Sequence, residues 1–140
     1  MKPIKLLIVD DQVENLQLLV DIFSGEGHEI LAARNGEEGL KVAQEEHPDL
    51  ILLDINMPQL NGYEVCEKLK ESETTKDITI IFLSASNSSV DEVHGLRLGA
   101  VDFISKPFVI EVVKQRVKIH IELKQLKEQL AKCLKDSIRT

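Results

Sequence analysis

Four short apolar runs in this chain each end beside a residue whose side chain can take part in chemistry. The runs are LLIV before Asp10 and Asp11, LILL before Asp54, IIFL before Ser84, and VDFIS before Lys106. Continuous apolar runs of this length are typical of strands buried in a parallel sheet. In such sheets, ligands bind outside the carboxyl ends of the strands. If the four strands are neighbours, carboxylates, a hydroxyl and an ammonium meet at one edge, an arrangement that suits a divalent cation and a phosphoryl group.

Strand and helix patterns alternate five times along the 140 residues. The predicted strands span residues 4–9, 29–33, 49–53, 78–83 and 101–105. The predicted helices span residues 12–25, 36–46, 62–71 and 88–98, and the last begins near Phe108. Five such strand–helix units predict an α/β fold, in which helices cover both faces of a parallel sheet. A chain of this length suits one domain with a substantial core.

The charge of the chain is distributed unevenly. Residues 1–108 hold 9 Lys and Arg against 20 Asp and Glu, a balance of −11, and residues 109–140 hold 8 against 4, a balance of +4, which together give −7. An acidic body disfavours non-specific nucleic-acid binding and suits cations. The basic segment has no aromatic residue, and its charges recur around a helix. We therefore expect a solvated helical face and no direct nucleic-acid partner.

Other features of the sequence limit the cellular location that we expect and the kinds of site that the chain can form. No stretch approaches the roughly 20 apolar residues of a membrane span, and a strand that starts at residue 4 leaves no room for a signal peptide. Cys66 and Cys133 match no metal-binding or disulfide spacing, so we expect a cytoplasmic protein without a membrane partner. The four histidines show no ligand spacing, and we expect them at the surface or at its boundary.

The last predicted helix has no residue that would end it. A helix that only covers the sheet should end near residue 121, yet no Gly or Pro follows Pro107. Apolar residues continue at a 4-3-4-3 spacing through Ile119, Leu123, Leu126, Leu130 and Cys133 or Leu134. This spacing is typical of a coiled-coil seam. A frayed surface helix is the alternative; we favour a seam, and hence a homodimer through the C-terminal helix.

Asp10, Asp11 and Asp54 are the candidate metal ligands. Carboxylates that share one site repel each other, and a hard divalent cation offsets that repulsion. Mg²⁺ prefers oxygen ligands and often completes its shell with phosphate oxygens. Asp10 or Asp11 could instead cap the helix that starts beside them. Packing does not explain Asp54, because it ends a strongly apolar strand.

Lys106 and Ser84 are the candidate groups for a phosphoryl oxygen. An ammonium beside three acids can neutralise a carboxylate and later hold such an oxygen. The Ser84 hydroxyl could donate to the same oxygen. The alternatives are a solvated loop lysine and a turn serine.

Four motifs and one glycine occur in the order and spacing of a known family. They are VDD at 9–11, LLDINMP at 52–58, Gly62, LSA at 83–85 and KPF at 106–108. Together they resemble the response-regulator receiver domain, the phospho-accepting half of two-component signalling. The resemblance covers about residues 3–122. It implies a flavodoxin-like, five-stranded parallel sheet of order 2-1-3-4-5.

The resemblance also implies roles for individual residues. Asp54 would accept the phosphoryl group and bind Mg²⁺ together with Asp11, while Asp10 would act mainly through water. Asn56 would supply a backbone carbonyl to the metal. Lys106 would bind the phosphoryl group, and its bond to Pro107 would be cis.

Ser84 and Phe103 would be the switch pair of such a domain. The family commonly has Thr and Tyr at these positions, so this chain departs from it mildly at both. Phe103 has no hydroxyl, and only packing could therefore drive a change of its rotamer.

Two function classes fit this sequence. The first is a signalling switch, not an enzyme acting on other substrates, which receives a phosphoryl group from a histidine kinase or phosphotransfer protein and then hydrolyses it. The alternative is a constitutive protein-interaction module, which loss of Asp54 or Lys106 would have favoured. A small Mg²⁺-dependent phosphatase would need an acid where this chain has Asn56.

We predict a receiver domain over residues 1–122 and a helical extension over 123–140, which could link to an output domain. The protein either stands alone or is a piece of a longer chain, and we expect the second, because the last helix runs on without a stop. By resemblance, a receiver that continues into RVKIHIELKQLKEQL is typical of regulators leading into cyclic-dinucleotide enzymes or histidine-kinase modules.

Overall fold

The computed structural model describes residues 2–85 and 89–139, and strands and helices alternate along them. The strands are β1 (Lys5–Val9), β2 (Glu29–Ala33), β3 (Leu50–Asp54), β4 (Thr79–Ser84) and β5 (Asp102–Ser105). The helices are α1 (Val13–Ser24), α2 (Gly36–Glu46), α3 (Gly62–Glu71), α4 (Ser89–Arg97) and α5 (Ile110–Arg139). The strands form one parallel sheet of order β2-β1-β3-β4-β5, which confirms the predicted fold and strand order.

Local capping signals explain why some boundaries were predicted well. The Asn35 side chain accepts from the Glu38 backbone N–H at 2.8 Å and begins α2. Asn61 and Glu64 form a reciprocal capping box at the start of α3. The other described boundaries lie within two residues of the predictions, and α5 begins at Ile110 instead of Phe108. The predicted start of the fourth helix, residue 88, lies outside the described residues.

The sheet separates two apolar layers. Side chains of a strand alternate between its faces, so Leu7 and Val9 of β1 pack on one side while Leu6 and Ile8 pack on the other. The first layer lies under α2 and α3, and the second lies under α1 and α5. Burial on both faces explains the unbroken apolar runs of the central strands. The strand β2 lies at the edge of the sheet and is largely not buried.

The long helix α5 changes character along its 30 residues. Val113, Val117 and Ile121 are buried against the sheet. Every described side chain from residue 126 to residue 138 is exposed. Packing of α5 on the body therefore ends close to residue 121. No helix among the described residues is long and apolar enough to cross a membrane.

At the amino end of the sheet, side chains pair with backbone groups. The Lys124 ammonium donates to the carbonyls of Asp49 and Asp77 at 3.1 and 3.3 Å. The Asp49 carboxylate accepts from the Lys5 backbone N–H at 2.8 Å. His28 is buried here, and its Nδ1 accepts from the Ile4 N–H at 3.1 Å. The surface position expected for this histidine is therefore wrong, because its ring replaces a backbone acceptor beside the sheet.

Candidate functional site

The carboxyl ends of β1, β3 and β5 bring the predicted acids and the lysine together. Asp10 follows β1, Asp54 ends β3, and Lys106 follows β5. Asp10 and Asp54 are 0% and 1% exposed, whereas Asp11 is partly exposed. One carboxylate oxygen from each of the three acids lies within 4.8 Å of the others. The sheet topology therefore builds the acidic cluster that the sequence predicted.

Lys106 lies against two of these carboxylates. Its ammonium is 3.1 Å from Asp10 Oδ2 and 3.3 Å from Asp54 Oδ1, and its side chain is 13% exposed. A solvated loop lysine, the alternative, does not describe this position. The bond between Lys106 and Pro107 is cis, as the resemblance implied.

The environment of Asp54 favours its neutral form. Burial, then the charge of Asp10 and a hydrogen bond with the Asp11 side chain, raise the pKa of Asp54 to about 7, although Lys106 and the Asn56 N–H act in the opposite direction. The Asn56 N–H donates to Asp54 Oδ1 at 3.2 Å. Asn56 itself is exposed.

Two buried carboxylate oxygens fit a bound cation. Among the described residues, Oδ2 of Asp54 and Oδ2 of Asp10 have no hydrogen-bond partner, although the Asp10 atom has Lys106 beside it. A buried anionic oxygen without a partner is unfavourable. Hard oxygen donors around one point are the ligand set that Mg²⁺ takes. Asp10, Asp11 and Asp54 thus have the chemistry to hold this ion.

Neither aspartate beside β1 caps α1. The N-cap of α1 is Gln12, whose side chain makes no capping bond. Asp10 Oδ1 instead accepts from the Gln12 backbone N–H at 2.9 Å, which fixes the carboxylate at the strand end. Gln12 Oε1 also lies 3.4 Å from the Lys106 ammonium. Sequence reasoning missed Gln12; its place directly after the aspartate pair was the available signal.

Gly62 allows α3 to begin directly beside the phospho-acceptor candidate. A Cβ at Gly62 would meet the Asp54 carbonyl and would lie 2.9 Å from Ile55 Cα. The Gly62 N–H donates to the Ile55 carbonyl at 3.1 Å, and the Ile55 N–H donates to the Leu83 carbonyl at 3.0 Å. These backbone contacts hold the end of β3 in place.

The two predicted switch residues are both buried, but they lie in different places relative to the site. Ser84 ends β4 and is 2% exposed, and its carbonyl accepts from the Lys106 N–H at 2.7 Å. Phe103 is buried in the layer under α3, with its ring against Phe82. Ser84 is therefore connected to the site through its backbone bond to Lys106, whereas Phe103 lies in the adjoining core.

Residues 6–118 match the response regulator receiver domain family. The chain belongs to this family. Such receivers are signalling domains, and the strand order described above is the one the family resemblance implied.

Two relatives and one solved structure illustrate the similarity. The receiver is 41% identical over 114 residues to the alkaline phosphatase synthesis transcriptional regulatory protein PhoP of Bacillus subtilis, covering 81% of this chain and 47% of PhoP. It is 38% identical over 125 residues to a probable cyclic di-GMP phosphodiesterase of Vibrio cholerae, covering 89% of this chain and 28% of that protein. A chain in the CheX–CheY–BeF3–Mg²⁺ complex of Borrelia burgdorferi is 33% identical, with a TM-score of 0.80 over 85% of this chain and 90% of that one. The receiver spans about half, or less, of these curated relatives.

Proposed function

We propose that this receiver is a phosphorylation-dependent switch that accepts a phosphoryl group from a histidine kinase, or from a phosphotransfer protein, onto Asp54. The observation that supports this proposal most directly is the position of Asp54. Its carboxylate is buried between Asp10 and Lys106, and one of its oxygens has no hydrogen-bond partner among the described residues. Asp10 has similar surroundings, and the choice of Asp54 as the acceptor follows from the family resemblance, in which Asp10 is a metal ligand.

The chemistry follows from this arrangement. An Asp54 oxygen attacks phosphorus while the P–N bond of the donor phosphohistidine breaks and its imidazole takes up a proton. Lys106 supplies a positive charge for the phosphoryl oxygens. Bound Mg²⁺, held by Asp10, Asp11, Asp54 and the Asn56 carbonyl, would supply further positive charge to those oxygens. Water later attacks phosphorus, which breaks the bond to Asp54 and releases inorganic phosphate.

Transfer of the phosphoryl group also changes what Lys106 and Ser84 contact. The lysine ammonium now lies against Asp10 and Asp54, and phosphoryl oxygens would compete for it. The Ser84 hydroxyl would donate to the same group and draw the end of β4 toward it. Phe103 would respond through packing, and the face formed by α4 and β5 would report the change.

A constitutive interaction module remains the second candidate. The intact set of Asp10, Asp11, Asp54, Ser84 and Lys106 favours phosphorylation over that alternative. A phosphatase is disfavoured, because Asn56 stands where its second acid would be needed. The cytoplasmic location and the absence of nucleic-acid binding stay predictions.

The test of the switch is a change of intact mass. The receiver is incubated with acetyl phosphate, with and without Mg²⁺, and we expect one added phosphoryl mass only when Mg²⁺ is present. Asp54→Asn should abolish the gain. Asp136→Asn, on the exposed end of α5, is the matched control and should behave as wild type. A full phosphoryl gain by Asp54→Asn would refute the assignment.

We also propose that residues 123–140 extend the receiver domain, residues 1–122, as a linker and pair two copies of the chain. The stripe formed by Ile119, Leu123, Leu126 and Leu130 is 45–61% exposed. Burying a leucine side chain contributes roughly 1.5–3 kcal/mol. Several such residues on each of two helices could narrowly exceed the cost of association.

Sedimentation of the whole chain tests this pairing. Leu130→Lys places a charge in the stripe and should shift the chain to monomer, whereas Gln129→Lys, beside the stripe, should not. If wild type is monomeric at high concentration with and without a phosphoryl mimic, the tail is not a seam. A cyclic-dinucleotide enzyme as the output module remains an analogy. It is based on relatives such as the probable cyclic di-GMP phosphodiesterase, which aligns with this chain over 125 residues.

A further inference from the structure

Four rings form a continuous row from β5 to α4. Phe103 of β5 contacts Phe82 of β4, with ring centroids 6.2 Å apart. Phe82 contacts Tyr63 of α3 at 5.2 Å, and Tyr63 contacts His94 of α4 at 4.6 Å. All three contacts are edge-to-face, a geometry that aromatic rings prefer. The row therefore joins two strands to two helices through oriented contacts.

Because Gly95 has no side chain, the backbone of α4 packs directly against this row of rings. A Cβ at Gly95 would lie 2.8 and 3.0 Å from Phe82 Cδ2 and Cε2, and 3.4 Å from Phe103 Cε2. A glycine inside a helix is less favourable than an alanine, so helix propensity does not explain it. The close approach does explain it. Because the interior is close-packed, displacement of either ring toward α4 requires the helix to move.

The inner end of the row lies beside the phosphoryl site. Phe82 is two residues before Ser84 on β4, and their side chains therefore point to the same face. Phe82 pairs in register with Phe103, and Ser84 pairs with Ser105, directly before Lys106. Ser84 and Lys106, which would contact a phosphoryl oxygen, are therefore within three residues of Phe82 and Phe103 along the chain.

We propose that Tyr63, Phe82 and Gly95 are positioning residues that couple occupancy of the phosphoryl site to the position of α4, with the Tyr63–His94 contact as the outer end of the relay. The inference rests on the proposed function. It adds a second path, by which a change at the phosphoryl site would reach the side of the domain formed by α3 and α4. Coupling is reciprocal. A substitution at Gly95 that changes the position of α4 should therefore also alter the affinity of the site for a phosphoryl mimic.

The chain supplies its own probe for this coupling. Tyr63 is its single tyrosine, and it contains no tryptophan. Tyrosine emission of the whole chain therefore reports the surroundings of Tyr63. The ligand is beryllium fluoride with Mg²⁺, and calorimetry measures its binding independently. We expect saturating ligand to change the emission, although the direct contacts of Tyr63 are with Phe82 and His94.

Two variants and two matched controls test the route. Phe82→Leu keeps an apolar side chain but removes two ring contacts, and it should lose at least about half of the emission change, while Ile81→Val, on the other face of β4, should keep it. Gly95→Ala should change the dissociation constant of beryllium fluoride by roughly fivefold or more, and Gly25→Ala by less than about twofold. A Cβ at Gly25 would make only ordinary contacts at 3.5 Å.

His94→Leu is an additional variant at an exposed position, where folding is not at risk. It should alter the emission of the ligand-bound chain without preventing binding. Binding heat with unchanged Tyr63 emission in wild type would overturn the relay alone. Wild-type responses in both Phe82→Leu and Gly95→Ala would also overturn it. Absence of binding heat in wild type would overturn the proposed function, and the relay with it.

Discussion

At the amino end of the sheet, Lys124 donates to two backbone carbonyls and His28 accepts a backbone N–H. At the carboxyl end, Asp10 and Asp54 each keep one buried oxygen without a hydrogen-bond partner among the described residues. Both ends belong to the same five strands. The amino end therefore contributes to stability, whereas the carboxyl end holds charge that a ligand would offset.

The difference explains how one small domain can be both stable and reactive. Burial and the charge of Asp10 disfavour ionisation of Asp54, and Lys106 offsets only part of that effect. A cation or a phosphoryl group can then change the balance at this edge without disturbing the opposite one. Substitutions at the two ends should accordingly have different consequences, and four of them, together with the pH dependence of stability, test this contrast.

The largest effect is expected at the carboxyl end, for Lys106→Ala. The fold should persist, and Mg²⁺ should bind as well or better because a competing positive charge is gone. Phosphorylation-dependent change at Ser84 and Phe103 should be lost, and phosphoryl uptake should slow by roughly 10²-fold or more, by analogy with the removal of one oxyanion-hole donor. Amide NMR shifts on phosphorylation measure this coupling. Shifts across α4 that equal those of wild type would contradict it.

The next effect is a dependence of stability on pH. The pKa of Asp54 is about 7 in the fold against an ordinary value of 3.8, so between these values the folded state binds more protons than the unfolded chain. The free energy of unfolding should therefore fall as pH rises, by on the order of 1–3 kcal/mol between about pH 5 and pH 8 without Mg²⁺. Urea denaturation at both pH values measures it, and added Mg²⁺ should restore stability at the higher pH.

Two asparagine variants locate the source of that slope. Asp54→Asn removes the titrating group and should flatten the dependence while raising stability near pH 8. Asp49→Asn, at the amino end, keeps an oxygen acceptor for the Lys5 N–H and should leave the slope in place. An unchanged slope in Asp54→Asn would show that another group is responsible.

The smallest effect is expected for Lys124→Ala at the amino end. It removes the donor to the carbonyls of Asp49 and Asp77, which should lower the free energy of unfolding by about 0.5–1.5 kcal/mol. Phosphoryl uptake should be unaffected, since the ammonium lies at the opposite edge of the sheet. A slower uptake measured by intact mass would show that the two ends are coupled more strongly than the contrast implies.

Local signals and sheet topology account for what the sequence predicted. Apolar runs indicated the strands, and the predicted starts of α2 and α3 coincide with the caps that Asn35 and Asn61 form in the structure. Because parallel strands end at one edge, the residues after the runs were expected to meet, and the structure places Asp10, Asp54 and Lys106 together. The proximity of residues far apart in sequence thus became predictable once the order of strands in the sheet was predicted.

Contacts that depend on how separate elements and loops pack together were not predictable in this way. His94 was expected only at the surface or its boundary, yet its ring packs against Tyr63 of another helix. Gln12 reaches Lys106 through a loop conformation that has no periodic signature. The buried ring of His28 accepts from the backbone N–H of Ile4, directly before β1. Each depends on how elements pack, which hydrophobic spacing does not specify.

The unbroken helix α5 is also a lever arm. It contacts the body as far as Gln125, whose side chain donates to the Lys2 carbonyl. Its remainder runs from Leu126 to Arg139, with side chains that are exposed as far as Ile138. At 1.5 Å per residue the free arm is roughly 20 Å long. A tilt of about 5° at Gln125 would move its far end by about 2 Å. Small adjustments of the body would thus reach whatever is attached there as a displacement about the size of a side-chain contact.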